Sequence, residues 1–222
     1  MKTLLIALFA SLSFSLQAQS IDSTPYMKAI DKAVTNLEIL ENTADLRRCK
    51  ETFVRMTQLY KKQWLPAYYS AYCSIELVYW ERDPDSSHIR LREAADLLKK
   101  LETMEGVDQS ELETLWGYYY MCFISTDPVV LGFRFFDTTV AKFKRALELN
   151  PENPRPVVLL ALFEQRFPNY VEGEVDYDEQ KEIAEALFKA ERKSLEKPYW
   201  GREFLEGIQV KSAKEKKKRT SL

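Results

Sequence analysis

The sequence predicts an all-α protein built from repeated pairs of helices. Three observations support this prediction. A large apolar residue recurs at a constant spacing, the segments between these residues carry apolar stripes of helical period, and proline, aspartate and glycine interrupt the stripes where loops are needed. No segment has the strict alternation of apolar and polar residues that is typical of a half-buried β-strand.

The recurring residue is an apolar anchor that returns every 45 residues, at Phe53, Leu98, Phe143 and Phe188. A small residue precedes each anchor by four positions, namely Cys49, Ala94, Thr139 and Ala184. Residues four positions apart lie on the same face of a helix, so each pair marks one buried helical face. Because the spacing is constant, we expect four duplicated helical units.

Helices of a second kind alternate with the anchor helices. The apolar pattern predicts them over residues 25–40, 64–80, 112–123 and 154–167. The stripe of the third comprises Leu112, Leu115, Trp116, Tyr119, Tyr120 and Phe123. The second is apolar nearly all round, which predicts a central, buried position. A shorter closing element is expected around residues 198–210.

Two short stretches resemble a known repeat family. Thr139, Phe143, Ala146 and Pro151 have the offsets found in the second helix of a tetratricopeptide repeat, and Trp116-Gly117-x2-Tyr120 is similar to the core of its first helix. The last third of the chain, from Asn150 to the Pro198-Tyr199-Trp200-Gly201 stretch, is similar to a group of exported bacterial tetratricopeptide-like proteins that have no assigned activity.

The resemblance implies a right-handed superhelical array of about four antiparallel helix pairs, a tetratricopeptide-like α-solenoid, over residues 19–210. The period of 45 residues exceeds the roughly 34 residues of that family. We attribute the difference to long loops between the helices. HEAT-type helical repeats, with periods of roughly 40–47 residues, are the alternative fold.

The two ends of the chain predict export. Residues 1–18 contain one lysine, an apolar run and a small residue at position 18, the pattern of a secretory signal peptide. We expect a periplasmic protein, with full secretion as the alternative. Residues 211–222 are strongly basic and have few apolar side chains, so we expect a disordered tail.

The composition excludes several kinds of chemistry. The chain has one histidine, His88, and three cysteines without CxxC spacing, which argues against a catalytic triad or a zinc site. The net charge of −2 does not fit a nucleic-acid-binding protein. We therefore expect no enzymatic activity, no cofactor, no metal site and no transmembrane segment. We interpret the cysteines as core residues. The sequence does not decide whether two of them form a disulfide.

An acidic loop over residues 172–179 has two interpretations. Closely spaced carboxylates bind calcium when a loop brings their oxygens together, but the spacing of an EF-hand is missing here. The interpretation that we prefer is that these acids cap the next helix and complement its dipole.

The aromatic residues give the main indication of function. In repeat arrays of this kind, the first helix of each pair lines a concave surface that binds peptides. Of the neighbouring tyrosines, we expect Tyr119 and Tyr120 in the core and Tyr118 at least partly exposed in this groove. The predicted partner-binding residues are Glu111, Thr114, Tyr118, Met121, Arg155, Val158 and Leu162.

The function predicted on this basis is that of a non-enzymatic adaptor that binds a protein or peptide partner in the cell envelope. The alternative is a periplasmic small-ligand-binding or carrier protein that uses the aromatic helices as a pocket. The sequence does not name the partner or the ligand, and it does not fix the oligomeric state.

Overall fold

The computed structural model describes residues 24–209. The predicted signal peptide over residues 1–18 and the predicted basic tail over residues 211–222 lie outside this range. Within it, the chain is helical and contains no β-strand, as the sequence predicts.

Eight α-helices and two short 3-10 helices make up the described chain. The α-helices are α1 (Thr24–Glu38), α2 (Thr43–Leu59), α3 (Leu65–Glu81), α4 (Pro84–Glu102), α5 (Gln109–Thr126), α6 (Pro128–Leu149), α7 (Pro154–Arg166) and α8 (Tyr177–Ala190). The 3-10 helices are Pro168–Tyr170 and Arg202–Gly207. Odd-numbered helices correspond to the second kind of predicted helix, and even-numbered helices carry the anchors.

Side-chain caps begin six of the eight helices. In each case an Asn or Asp side chain accepts a hydrogen bond from a backbone N–H of the first turn, at Asn42, Asp83, Asp108, Asp127, Asn153 and Asp176. These bonds satisfy donors that a helix leaves without an internal partner. Asp176 accepts from the N–H groups of residues 178 and 179, so the preferred interpretation of the acidic loop is confirmed at this residue.

The four anchors are all buried. Phe53, Leu98 and Phe143 are fully inaccessible to solvent and Phe188 is 1% exposed. Helices α5 and α6 pack closely at Gly117, where an added Cβ atom would lie 2.5 Å from the ring of Phe143. The absence of a side chain at position 117 is therefore what lets this ring pack against the backbone of α5.

Most of the connections between the helices of the described chain are short, and residues 167–176 form the one long loop. The connections run from the single residue Asp127, between α5 and α6, to residues 167–176 between α7 and α8. The attribution of the 45-residue period to long loops is thus wrong except for the last helix pair, which contains this loop. The anchor helices supply the length instead, with α6 alone spanning 22 residues.

Helices that follow one another in the chain pack together, and α5 also contacts α3 and α7. Three odd-numbered helices therefore lie side by side in one layer. The chain returns across this layer after α8, through residues 198–208, here called the C-terminal segment. Gly201 makes a turn within this segment with a φ of +98°, a value that strongly favours glycine.

All three cysteines are free and buried in the helical core. Cys73 and Cys122 are fully inaccessible, and Cys49 is 6% exposed. Their interpretation as core residues is confirmed.

Candidate functional site

The predicted partner-binding residues are mostly buried. Glu111, Thr114, Tyr118, Arg155 and Val158 lie in the interior, while Met121 and Leu162 are partly buried. Tyr118 is only 2% exposed, so the expectation of an exposed Tyr118 is wrong. Tyr118→Ala should therefore lower the free energy of unfolding by about 3–5 kcal/mol, as truncation of a buried aromatic side chain does.

The C-terminal segment covers Tyr118. The ring of Trp200 stacks on Tyr118 at a centroid distance of 5.9 Å, and Phe204 meets the edge of the same ring at 5.7 Å. The indole N–H of Trp200 donates a hydrogen bond of 2.9 Å to the Tyr68 hydroxyl. The chain thus covers with its own residues the part of the predicted groove that lies at Tyr118 on α5.

Arg155, on α7, forms hydrogen bonds to neighbouring helices and to the C-terminal segment. Its guanidinium donates to Glu111 at 3.1 Å, to Glu191 at 2.7 Å and to the carbonyl oxygen of Pro198 at 2.6 Å. Burial alone would lower the pKa of Arg155, but the negative charges of its two carboxylate partners raise that pKa and keep the group charged. The network joins α5, α7, α8 and the C-terminal segment.

Two cavities lie on either side of the C-terminal segment. The larger, here called the His88 cavity, has a volume of about 1040 Å³. Its apolar wall consists of Val78, Tyr79, Tyr118, Met121, Phe123, Leu131, Phe167 and Phe204. The smaller, here called the Trp80 cavity, has a volume of about 530 Å³. Glu76 and Phe204 line both.

The His88 cavity carries basic groups at its rim. Arg82, His88 and Arg166 line it and are exposed. Neither arginine takes part in a salt bridge within residues 24–209. Glu76 and Asp127 are the acidic residues of the lining, and the Asp127 carboxylate is already engaged in capping α6. A broad apolar wall with unpaired cations at the rim suits an apolar ligand that carries negative groups at one edge.

The phenols of this cavity are held in their neutral form. Burial raises the pKa values of Tyr79 and Tyr118 well above the usual value near 10. The imidazole of His88 is the side chain of this lining that most commonly ligates metals in proteins. His88 is the only histidine in the sequence.

Sequence reasoning did not find this cavity. His88 was judged only against catalytic triads and zinc sites, where it lacks partners. Arg82 ends α3 in a left-handed conformation with a φ of 51°. That conformation is not written in the residue type. Arg166 reaches the cavity only because α7 packs beside α5.

The described residues show neither a metal cluster nor a membrane span. Between residues 24 and 209, no group of three or more His, Cys, Asp or Glu side chains is placed to hold a metal ion. Over the same residues, no helix has the length and apolar character to cross a membrane.

Comparison with known proteins identifies a structural neighbour. No family model matches the sequence, and no curated protein matches it. The chain is similar in structure to the HusA haemophore from Porphyromonas gingivalis, with a TM-score of 0.71 and 24% sequence identity. The alignment covers 83% of this chain and 92% of the haemophore. At this level of identity the similarity shows a shared helical fold.

Proposed function

We propose that this chain is an exported, non-enzymatic protein that binds a small apolar ligand with anionic groups, and that haem is the ligand of the His88 cavity. The observation that supports this most directly is the combination of a large apolar wall with two unpaired arginines and a histidine at its rim. The structural neighbour is a haemophore, which directs the proposal to haem among apolar anions.

The residues of the cavity fit haem in three respects. The aromatic side chains match a flat, apolar macrocycle, and the cavity volume of about 1040 Å³ leaves room for it. Arg82 and Arg166 match the two propionate groups, which carry negative charge. His88 is a suitable iron ligand, since histidine is a common axial ligand of haem. Haem here is cargo, and the chain supplies binding and orientation.

The architecture that we propose for this function is a tetratricopeptide-like right-handed superhelix of four helix pairs, α1–α2 to α7–α8. The anchors at a constant spacing and the layer formed by α3, α5 and α7 support it. The haemophore neighbour supports the carrier function, which is the alternative predicted from the sequence, better than the adaptor function. The adaptor function is the weaker hypothesis, because a partner would have to displace the C-terminal segment to reach Tyr118.

Titration of the full chain with haemin tests the proposal. We expect saturable binding at one site, with a shift of the Soret band and quenching of tryptophan fluorescence. Arg82→Ala and Arg166→Ala should each weaken binding about two- to fivefold, the effect expected from one exposed charge. Arg55→Ala is the matched control, because Arg55 is also exposed but lies on α2 and does not line the cavity.

Protoporphyrin IX, which lacks iron, separates iron ligation from the other contacts. His88→Ala should change the Soret spectrum of the haemin complex and leave the affinity for protoporphyrin IX unchanged. Absence of saturable haemin binding would contradict the proposal. Equal affinities for Arg82→Ala, Arg166→Ala and Arg55→Ala would contradict the assignment of the site.

A further inference from the structure

The Trp80 cavity is lined by aromatic rings from three parts of the chain. Tyr72 and Trp80 come from α3, Phe188 from α8, and Tyr199, Trp200 and Phe204 from the chain that follows α8. The Tyr72 and Trp200 rings approach to a centroid distance of 4.5 Å. Faces of indole and phenol rings carry partial negative charge and attract cations within about 6 Å.

The charged residues of this cavity are predominantly acidic. Glu38, Glu76, Glu191 and Glu203 line it, and Arg202 is its one basic residue. Arg202 is already engaged, because its guanidinium donates to the carbonyl oxygen of Phe188 and lies over the ring of that residue. The lining is thus opposite in charge to the rim of the His88 cavity.

Two of the four carboxylates have cation partners within the protein. Glu38 pairs with Lys193 at 2.7 Å, and Glu191 pairs with Arg155 at 2.7 Å. Glu76 and Glu203 form no salt bridge in the described part of the chain. Glu203 is exposed, and its carboxylate accepts a hydrogen bond of 3.0 Å from the backbone N–H of Gly201.

Glu76 is the more unusual of the two, because it is 9% exposed. Its carboxylate accepts a 2.5 Å hydrogen bond from the Tyr118 hydroxyl and a 3.2 Å hydrogen bond from the Trp80 indole. Both donors are neutral. A buried carboxyl group without a cation either keeps its proton or needs a charge of opposite sign close to it. The cavity beside it has the space for such a charge.

We infer that the Trp80 cavity binds a small organic cation of the alkylated ammonium class, held by the aromatic rings and by the carboxylates of Glu76 and Glu203. The rings attract the diffuse charge of an alkylated ammonium group, and the alkyl groups are buried against them. A metal ion fits poorly, since no three His, Cys, Asp or Glu side chains between residues 24 and 209 are placed to hold one together. The inference concerns a different cavity and does not depend on haem binding.

The charge state of Glu76 makes the binding depend on pH. Burial and the negative charge of Glu203 raise the pKa of Glu76 to about 7, against the opposing hydrogen bond from Tyr118. The other charged or titratable groups of the cavity are Glu38 from α1, Tyr72 from α3, Glu191 from α8, and Tyr199 and Arg202 from the chain that follows α8. A bound cation favours ionised Glu76, so affinity should increase as pH rises from 6 to 8.

The test uses choline and its uncharged analogue 3,3-dimethylbutan-1-ol, in which carbon replaces the nitrogen. Calorimetry and tryptophan fluorescence on the full chain measure both affinities. We expect choline to bind at least tenfold more tightly than the alcohol at pH 8. Equal affinity for the two compounds, or no choline binding at millimolar concentration, would overturn the inference.

Three variants locate the site. Glu76→Gln keeps a hydrogen-bond acceptor for Tyr118, and we expect it to weaken choline binding at least fivefold and to abolish its pH dependence. Glu203→Gln should also weaken choline binding. Glu206→Gln is the matched control, because Glu206 is exposed on the same 3-10 helix and does not line the cavity. Unchanged choline affinity in both Glu76→Gln and Glu203→Gln would overturn the assignment, while haemin binding is measured separately.

Discussion

Arg155 shows at the scale of one residue how the interior of this protein is organised. The side chain is 2% exposed, and its guanidinium contacts two carboxylates and a backbone carbonyl oxygen. A buried ion pair is weak evidence for net stabilisation, because both groups lose their hydration. Removal of one partner, however, leaves the other charge buried and unpaired. The arginine is therefore needed mainly because Glu111 is there.

Replacement of Arg155 should expose this dependence. We expect Arg155→Met to lower the free energy of unfolding by about 3–5 kcal/mol, since Glu111 is left without a cation. The double variant Arg155→Met/Glu111→Gln should recover part of that loss, because glutamine carries no charge. Urea denaturation of the two single variants and the double variant measures the coupling. Additive losses would show that the two side chains act independently.

Helix α5 shows at the scale of an element why the burial of its three tyrosines differs from the prediction. The sequence pattern placed Tyr119 and Tyr120 in the core, but both are half-buried while Tyr118 is buried. An apolar stripe predicts one buried face, whereas α5 has neighbours on several sides. Helices α3, α4, α6 and α7 all contact it, and Trp200 covers Tyr118. Polar residues such as Thr114 are therefore buried as well.

The packing of α6 on α5 gives a prediction about this element. Phe143 is fully buried against Gly117, so Phe143→Ala should lower the free energy of unfolding by about 3–5 kcal/mol. Phe133 lies on the same helix and is 80% exposed, so Phe133→Ala should change the free energy of unfolding by less than about 0.5 kcal/mol. Urea denaturation of both variants makes the comparison. Similar losses would mean that exposed apolar residues of α6 also support the fold.

At the scale of the whole molecule, the buried carboxylate between the two cavities links stability to pH. The pKa of Glu76 is raised from its ordinary value of 4.5 to about 7, chiefly by burial. Between pH 4.5 and about pH 7, Glu76 is protonated in the folded chain and ionised in the unfolded chain. Glu76 therefore favours the folded state fully at low pH, and this contribution is lost as pH rises through the window from about 4.5 to 7.

Glu76→Gln should remove this dependence. Relative to the unchanged protein, the variant should gain about 2–3 kcal/mol of stability between pH 4 and pH 8, the amount that corresponds to a shift of this size. Urea denaturation at pH 4, 6 and 8 measures the difference, and Glu206→Gln serves as the exposed control. A constant difference across this range would show that Glu76 ionises at its ordinary pKa.

The sequence alone determined the helices, their order and their buried anchors. These follow from local rules, since apolar period, side-chain caps and proline at the first turn act within a few residues. The tertiary structure decided which faces remain accessible. The C-terminal segment covers Tyr118. Arg166 lines the same cavity as Arg82 and His88, although 84 and 78 positions separate it from them in the sequence. Such proximity depends on how helices pack, which no local pattern encodes.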